Sequence, residues 1–530
     1  MVKTFSVLAI TGLCALPTCA LAGGGKSQAD LERKVEELSR QLDELKAQMA
    51  KQNETITQYG DKVEDMDTML EEKSEKWDLA SRFQFDGDFR ARGDYYSASN
   101  LFPAGTPLYM VGMGPNGPIW GSQSFGDQDN DTLLTNRLRL NMRVKATEDV
   151  EFKGRLAMYK AWGMQSQPED IASGYPVFDG NVTRTPNDSA LYIDRAFVNW
   201  NNIGGAPIWF SIGRRPTTDG PPAQLRMNND DRMATPPAFM DYPFDGISLG
   251  YAYNWGNDAL GEGRIRFCYG RGFENGLQWD TDPYEQRLDD TDFAGFSWDV
   301  FKKGPRFLNV QTFGAYNLFN YPAFADPFVQ YAAGFPQSVG GYGPQINVGN
   351  INHTSAVYMD KIKNLNYFIA GGWSRSDPNN NGMFNDYVAM NMGTAGANTT
   401  SENGYSFYAG IRYDMDNLGL KLGAEYNYGS QYWVAFNPGH DDLYSGKLGT
   451  RGNAYELYLI YDLPTGEAIS KFAKTFVRLG WQYYDFNYAG GSDYNMKPYD
   501  LDDDRTALQM LGLNPVESAN QVYLTFEAYF

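Results

Sequence analysis

The chain alternates apolar and polar residues two by two over most of its length, and this periodicity limits its folds more than any single motif. Its last ten residues are typical. Val522, Leu524, Phe526, Ala528 and Phe530 fall on one side, and Gln521, Tyr523, Thr525, Glu527 and Tyr529 on the other. Successive side chains of a strand point to opposite faces, so the segment has one greasy face and one wet face. From Arg82 to Tyr95, Phe83, Phe85, Phe89, Ala91 and Tyr95 oppose Arg82, Gln84, Asp86, Asp88, Arg90, Arg92 and Asp94. Leu134, Leu138, Leu140, Met142 and Val144 oppose Arg137, Arg139, Asn141, Arg143 and Lys145, and Val150, Phe152, Leu156 and Met158 oppose Glu151, Lys153 and Arg155. No soluble sandwich needs so charged a second face beside so aromatic a first one. A sheet closed into a barrel, apolar outside and wet inside, uses both.

Similar runs recur near 190–200, 207–214, 244–254, 263–273, 291–301, 307–318, 353–362, 365–375, 404–414, 418–430, 452–462, 475–487 and 520–530. With the first three they make about sixteen strands, each near the ~10 residues a tilted membrane strand requires. Connections near 146–149, 201–206, 255–262, 302–306 and 415–417 are short and hold turn residues. Those near 96–132, 161–189, 215–243, 319–352, 376–403 and 488–519 are long, polar and rich in Gly, Pro and Asn. Short turns on one rim and long loops on the other are the asymmetry of outer-membrane barrels. Mean hydropathy is −0.50, and past residue 22 no run of 18 apolar residues occurs, which excludes a helical membrane bundle. The net charge of −20 argues against nucleic acid, whose phosphates it would repel.

Residues 1–22 read as a secretory signal: Lys3, the apolar stretch Phe5 to Leu16, and the small-x-small site Ala20-Leu21-Ala22. Lipidation at Cys19 is the alternative to cleavage after Ala22, and Thr18 before it fits a lipobox poorly. Cys268 is then the one cysteine of the mature chain, so no internal disulfide forms. Residues 23–76 form a separate helical segment. Leu31, Val35, Leu38, Leu42, Leu45, Met49, Gln52, Ile56, Tyr59, Val63, Met66 and Leu70 step by four and three, the heptad seam of a coiled coil. So narrow a seam is not buried by one helix, and it predicts a homo-oligomer, with a trimer expected.

The expected fold class is therefore an all-β transmembrane barrel of about sixteen antiparallel strands over 77–530, preceded by an α-helical coiled coil in the periplasm. Inward bases gather on the early strands: Arg90, Arg92, Arg137, Arg139, Arg143, Lys145, Lys153 and Arg155, with Arg264 and Arg266 later. A basic stripe on a water-filled lumen attracts anions and repels cations. Pairing with Asp86, Asp88 and loop acids is the plainer reading of the same residues. The third long loop carries Arg214, Arg215, Asp219, Arg226, Asp230, Asp231 and Arg232 among stiffening prolines, which suits a loop folded into the lumen as a constriction, or one capping the mouth.

Other signals carry less. Gly112-Met113-Gly114-Pro115-Asn116-Gly117 matches a dinucleotide fingerprint by letters, in a proline-broken loop with no strand before it or helix after it. Asp127, Asp129 and Asp131 have the spacing of calcium ligands, but Thr132 stands where the loop glycine belongs. His353 with Ser355, and His440 with Asp441 and Asp442, are the candidates for a barrel-embedded hydrolase. No cofactor is expected, and no CxxCH attaches haem.

The terminal alternation ending on Phe526 and Phe530 resembles the insertion signal read by the barrel-assembly machinery, with Ala528 departing from its usual aromatic. Ser211-Ile212-Gly213-Arg214-Arg215-Pro216 and Pro243-Phe244-Asp245-Gly246-Ile247 resemble stretches around the third loop of phosphate-selective O/P-type porins. Porin-like proteins of metal-reducing bacteria share the same layout. The resemblance implies a bacterial outer-membrane porin set in lipid and lipopolysaccharide, passing small hydrophilic solutes or ions passively, with a lean to anions. The PEFG-type constriction motif of general porins is missing, as is the lysine cluster of the phosphate-selective members. Two rivals are a barrel sheath for an electron-transfer complex and, behind it, the hydrolase.

Overall fold

The computed structural model describes residues 33–51, 82–163, 189–215, 220–229, 240–242, 244–276, 288–320, 346–437, 442, 446–466 and 473–530. Two compact units divide between Ser81 and Arg82. In the first, residues 33–51 form one helix, α1, with Arg40 and Glu44 paired at i,i+4. Val35, Leu38, Leu42, Leu45 and Met49 all lie exposed along it. The rest of the expected coiled coil, including Leu31, Ile56 and Val63, lies outside the described residues, as do the expected signal segment and its two cysteines.

The second unit is a closed antiparallel barrel of sixteen strands among the described residues. The first is β1 (Phe83–Asn100). A two-stranded hairpin, β2 (Pro107–Gly114) and β3 (Gly117–Gln123), stands apart from the barrel. The ring resumes with β4 (Gln128–Lys145), β5 (Val150–Ala161), β6 (Tyr192–Trp200), β7 (Ile208–Arg214), β8 (Asp245–Asn254) and β9 (Glu262–Phe273). It continues through β10 (Thr291–Lys303), β11 (Arg306–Phe319), β12 (Asn347–Ile362), β13 (Leu365–Pro378) and β14 (Asn403–Met415). β15 (Leu420–Gly429), β16 (Gly452–Asp462), β17 (Lys474–Phe486) and β18 (Val516–Tyr529) complete it. Each strand pairs with its sequence neighbour, and β18 closes on β1 with Ala91 opposite Phe526. Closure leaves no strand edge unpaired, which is how an exposed barrel satisfies its backbone.

The alternation in the sequence becomes inside and outside. Leu479, Leu524, Phe526 and Leu457 face out and are exposed, while Arg478, Thr525, Glu527 and Glu456 face in and are buried. Inward aromatics lie over glycines of the next strand: a side chain at Gly480 would place its Cβ 2.1 Å from the Tyr523 ring. That glycine is therefore required by close approach, and the ring packs over it.

The hairpin β2–β3 corrects one expectation. The stretch Gly112–Gly117 is the end of one strand, a two-residue turn and the start of the next, so a strand does precede it. No helix follows, and the dinucleotide reading has no support. Asp127 is also engaged locally: its carboxylate accepts the Asn100 backbone N–H at 2.9 Å.

The long-loop rim has its own packing. α2 (Tyr387–Asn391) and α3 (Arg505–Leu511) sit in an apolar cluster with Leu101, Phe102, Leu108, Tyr499 and Leu501. Asp386 caps α2 by accepting the Ala389 N–H at 3.0 Å. Burial raises its pKa, but that bond, the Tyr499 hydroxyl and Lys497 outweigh it and hold the carboxyl below its usual value.

Candidate functional site

The inner wall presents two different surfaces. On β1 and β4 the expected basic residues face inward, each beside an acid. Arg137 donates to Asp88 at 2.9 Å and reaches Glu527 at 3.3 Å, and Arg139 donates to the other Asp88 oxygen at 2.6 Å. Arg92 binds Asp94 at 2.7 Å and lies 4.4 Å over the Tyr523 ring. Arg90 is buried on the same face. Near the short-turn rim Arg143 and Lys153 share Glu151, each at 2.6 Å, and keep 44% and 36% of their side-chain surface accessible. Lys145 is exposed at that rim. Arg155 pairs with Asp194 on β6, and Arg264 pairs with Asp299, which also stands 3.8 Å from Arg266.

The third long loop enters the barrel. Gly220–Asn228 is a run of tight turns, buried throughout, and its backbone carbonyls are taken up by inward side chains of distant strands. Arg412 donates to Leu225 O at 2.8 Å, Arg478 to Arg226 O at 2.6 Å and Tyr529 to Met227 O at 3.0 Å. Lys421 and Lys474 both reach the Asn228 side-chain oxygen, at 2.6 and 3.0 Å. The Arg226 guanidinium binds Asp442 at 2.8 Å and Glu456 at 3.0 Å. Of the other residues expected in this loop, Arg214 ends β7, 3.5 Å from Asp245, and Arg215 follows it. Asp219, Asp230, Asp231 and Arg232 lie outside the described residues.

A second inserted segment escaped the sequence reading. Between β15 and β16, Lys447 pairs with Glu425 and Glu456, and Asn427 donates to Lys447 O at 2.7 Å. Trp433, fully buried, donates to Leu448 O at 2.8 Å. Arg451 donates to the carbonyls of Trp433 and Gly490 at 3.0 and 2.7 Å, pinning this segment to the loop after β17. The signal that would have found it is the pair of acids Glu425 and Glu456, inward at mid-strand on β15 and β16. Such residues are expensive without partners, so they imply cations brought to them. Tyr408 and Tyr523 complete the network, donating to Glu425 and Glu456 at 2.6 and 2.5 Å.

The wall from β7 to β9 differs. Ser211, Ser248 and Cys268 stand side by side across the three strands, with Cys268 Sγ 3.6 Å from Ser248 Oγ. Arg266 and Arg264 follow Cys268 on the same inward face of β9. His353, a candidate for hydrolysis, is fully buried on β12, stacked 4.8 Å from Phe313 and 5.2 Å from Trp433. Its surroundings are aromatic rather than acidic. His440 lies outside the described residues, and Asp442 is bound to Arg226. The aromatics Phe526 and Phe530 face outward, about half exposed.

No curated protein matches the chain. Among solved structures it is similar to OmpT, an outer membrane protein of Vibrio cholerae folded in vitro, at 10% identity and a TM-score of 0.37, covering 85% of this chain and 98% of that one. It is similar to OprB of Pseudomonas putida at high pH, at 10% identity and a TM-score of 0.40, covering 86% and 96%. It is also similar to OmpF of Salmonella typhi in complex with daunomycin, at 11% identity and a TM-score of 0.38, covering 85% and 98%. A family model described as "Protein of unknown function (DUF3373)" matches residues 127–530, and the chain belongs to that family.

Proposed function

We propose that this chain is an outer-membrane channel that passes small hydrophilic solutes or ions down their gradients, without covalent chemistry. One observation carries the reading: a closed ring of sixteen strands is apolar outside and charged inside. An apolar exterior of this kind belongs in hydrocarbon, and a polar interior belongs to water. The short-turn rim then faces the periplasm and the long loops face outward. The inserted 220–229 segment acts as a constriction against the β14–β18 side, while the accessible bases Arg143 and Lys153 stand on the β4–β5 side. Bases on that side favour anions. A cytochrome-holding sheath would need more room than sixteen strands give when the chain's own segments enter the lumen.

The purified protein in a planar bilayer should give stepwise conductance with a reversal potential on the anion side in asymmetric salt. A silent bilayer from protein shown to be folded by its strand-type circular dichroism would sink the reading.

Residues 31–70 are proposed to hold the copies of a trimer together, because α1 leaves its apolar seam uncovered along its length. Deleting them should reduce the oligomer to monomers on native gels. An intact oligomer would assign the rod another task. Phe526 and Phe530 are proposed as the handle for the barrel-assembly machinery, and the outer loops as the face towards lipopolysaccharide.

A further inference from the structure

The outer wall of β12–β14 carries a polar row that is out of place in hydrocarbon. Arg375 faces outward and is exposed near the long-loop end of β13, directly opposite Asn352 on β12 and Asn403 on β14. Both asparagines are exposed too. Cross-strand partners of this kind have Cβ atoms about 4.5–5.5 Å apart, so the three side chains form one cluster. Among the described residues no acid is paired with Arg375. Asp377 stands two residues nearer the loops on the same face and Glu402 precedes Asn403, and neither is bonded to it.

One row below, the Trp373 indole donates to Asn403 Oδ1 at 3.1 Å. An indole N–H can only donate, so it takes the oxygen of the amide and leaves the Asn403 NH2 for an incoming acceptor. Trp481 donates to Asn520 Oδ1 at 3.3 Å and Tyr426 to Asn453 Oδ1 at 2.8 Å, so a belt of aromatics capped by amides runs round this arc. Such belts mark the edge of the hydrocarbon layer. The height agrees. Arg375 lies ten residues from Leu365 at the short turn, and that length of strand, tilted at about 40°, climbs roughly 25 Å, the thickness of the apolar band.

Below the belt the same arc is hollow. Ala409 and Ala424 are short outward side chains between Ile369, Ile411 and Tyr426, and they leave an apolar furrow of about 570 Å³. Ile369 is six residues below Arg375 on the same face, about 15 Å nearer the middle of the bilayer. A guanidinium with amide donors above an apolar furrow fits one molecule that has an anionic head and a chain. A phosphate suits the head, because its oxygens match the guanidinium fork.

We propose that Arg375, Asn352 and Asn403 bind the phosphate headgroup of an outer-leaflet lipid whose acyl chain lies in the furrow at Ile369, Ala409 and Ala424. The site rests on the reading of the chain as an outer-membrane barrel and is independent of what passes through the lumen.

Native mass spectrometry of the detergent-solubilised full chain reads the site, with lipid A as one titrant and dephosphorylated lipid A as the other. The parent should take up lipid A saturably and bind the dephosphorylated form roughly tenfold more weakly. Arg375→Ala should weaken lipid A binding about tenfold, and Arg375→Lys, which keeps charge but loses the fork, by less. Ala424→Leu, which fills the furrow, should weaken both lipids about threefold. Arg306→Gln, at an outward arginine of the short-turn rim already bonded to Asp360 at 3.0 Å, should change neither. Equal uptake of the two lipids, or equal uptake of lipid A by the parent and Arg375→Ala, overturns the site and leaves the channel standing. Displacement of lipid A by inorganic phosphate at equal concentration overturns the lipid assignment, since a free anion is then enough. Lipid A binding that Arg375→Ala weakens, in a protein that never conducts, keeps the site and removes the channel.

Discussion

The two sides of the lumen solve the problem of inward charge in opposite ways. Against β14–β18 every named cation has an assigned acid or carbonyl. Arg226 has Asp442 and Glu456, Lys447 has Glu425 and Glu456, and Arg478 has Glu527 and the Arg226 carbonyl. Against β7–β9 the cations pair with acids of neighbouring strands, Arg214 with Asp245 and both Arg264 and Arg266 with Asp299. The first side spends its polar groups on holding the chain's own segments. The second spends them on bracing one strand against the next. A barrel wall can therefore hold an inserted loop on one arc and brace only itself on another, with nothing in strand count or register to tell them apart.

The sharpest way to break this contrast is to unbalance the saturated side. Glu456→Ala takes one of two acids from each of Arg226 and Lys447 in a buried setting, and losing one partner of such a network costs about 3–5 kcal/mol. The expected result is a lower temperature for heat-induced unfolding on gels, together with larger and noisier single-channel steps as the 220–229 segment comes loose. Unchanged unfolding and unchanged steps would mean that the inserted segments are held by something else. A smaller effect is expected where bases are more accessible. Arg143→Glu with Lys153→Glu should move the permeability ratio towards cations roughly tenfold at low salt, and less as ionic strength rises. Arg139 is a poorer choice for this purpose, because its buried bond to Asp88 makes any substitution there a packing change first. If the ratio stays put in the double variant, the basic rim does not set ion preference.

Much of the barrel is legible in the sequence. Strands such as Gly452–Asp462 and Leu365–Pro378 follow directly from two-residue alternation, because burial on one face only leaves that mark. What stayed hidden has a common physical cause. Where the chain fills its own lumen, the inner face becomes a core, and the alternation changes meaning. On β12 the apolar Ile351, Val357 and Met359 face in beside His353 and Ser355, while Asn352 and Thr354 face out, Thr354 bonded to Thr312 at 3.0 Å. A pattern that says only "apolar versus polar" cannot say which face looks outward. The inserted 446–451 segment was invisible for a related reason. Its meaning lies in Glu425 and Glu456, on strands to either side, and pairing across folded loops leaves no local period. The arginines of the early strands were legible as inward but not as paired, since Asp88 serves two of them only after β1 and β4 align.

The closure of β18 on β1 sets the order in which the protein can be made. Gly87 and Phe530 exchange both backbone hydrogen bonds, and Gln521 reaches Asp94 across 427 positions of chain. Contacts so distant in sequence form slowly, because the intervening chain must give up its freedom before any reward is collected. Until that final stitch, every intermediate carries two raw strand edges and a greasy outer skin, the combination most prone to clumping. The time spent waiting for the last strand is when copies of this polypeptide are most vulnerable.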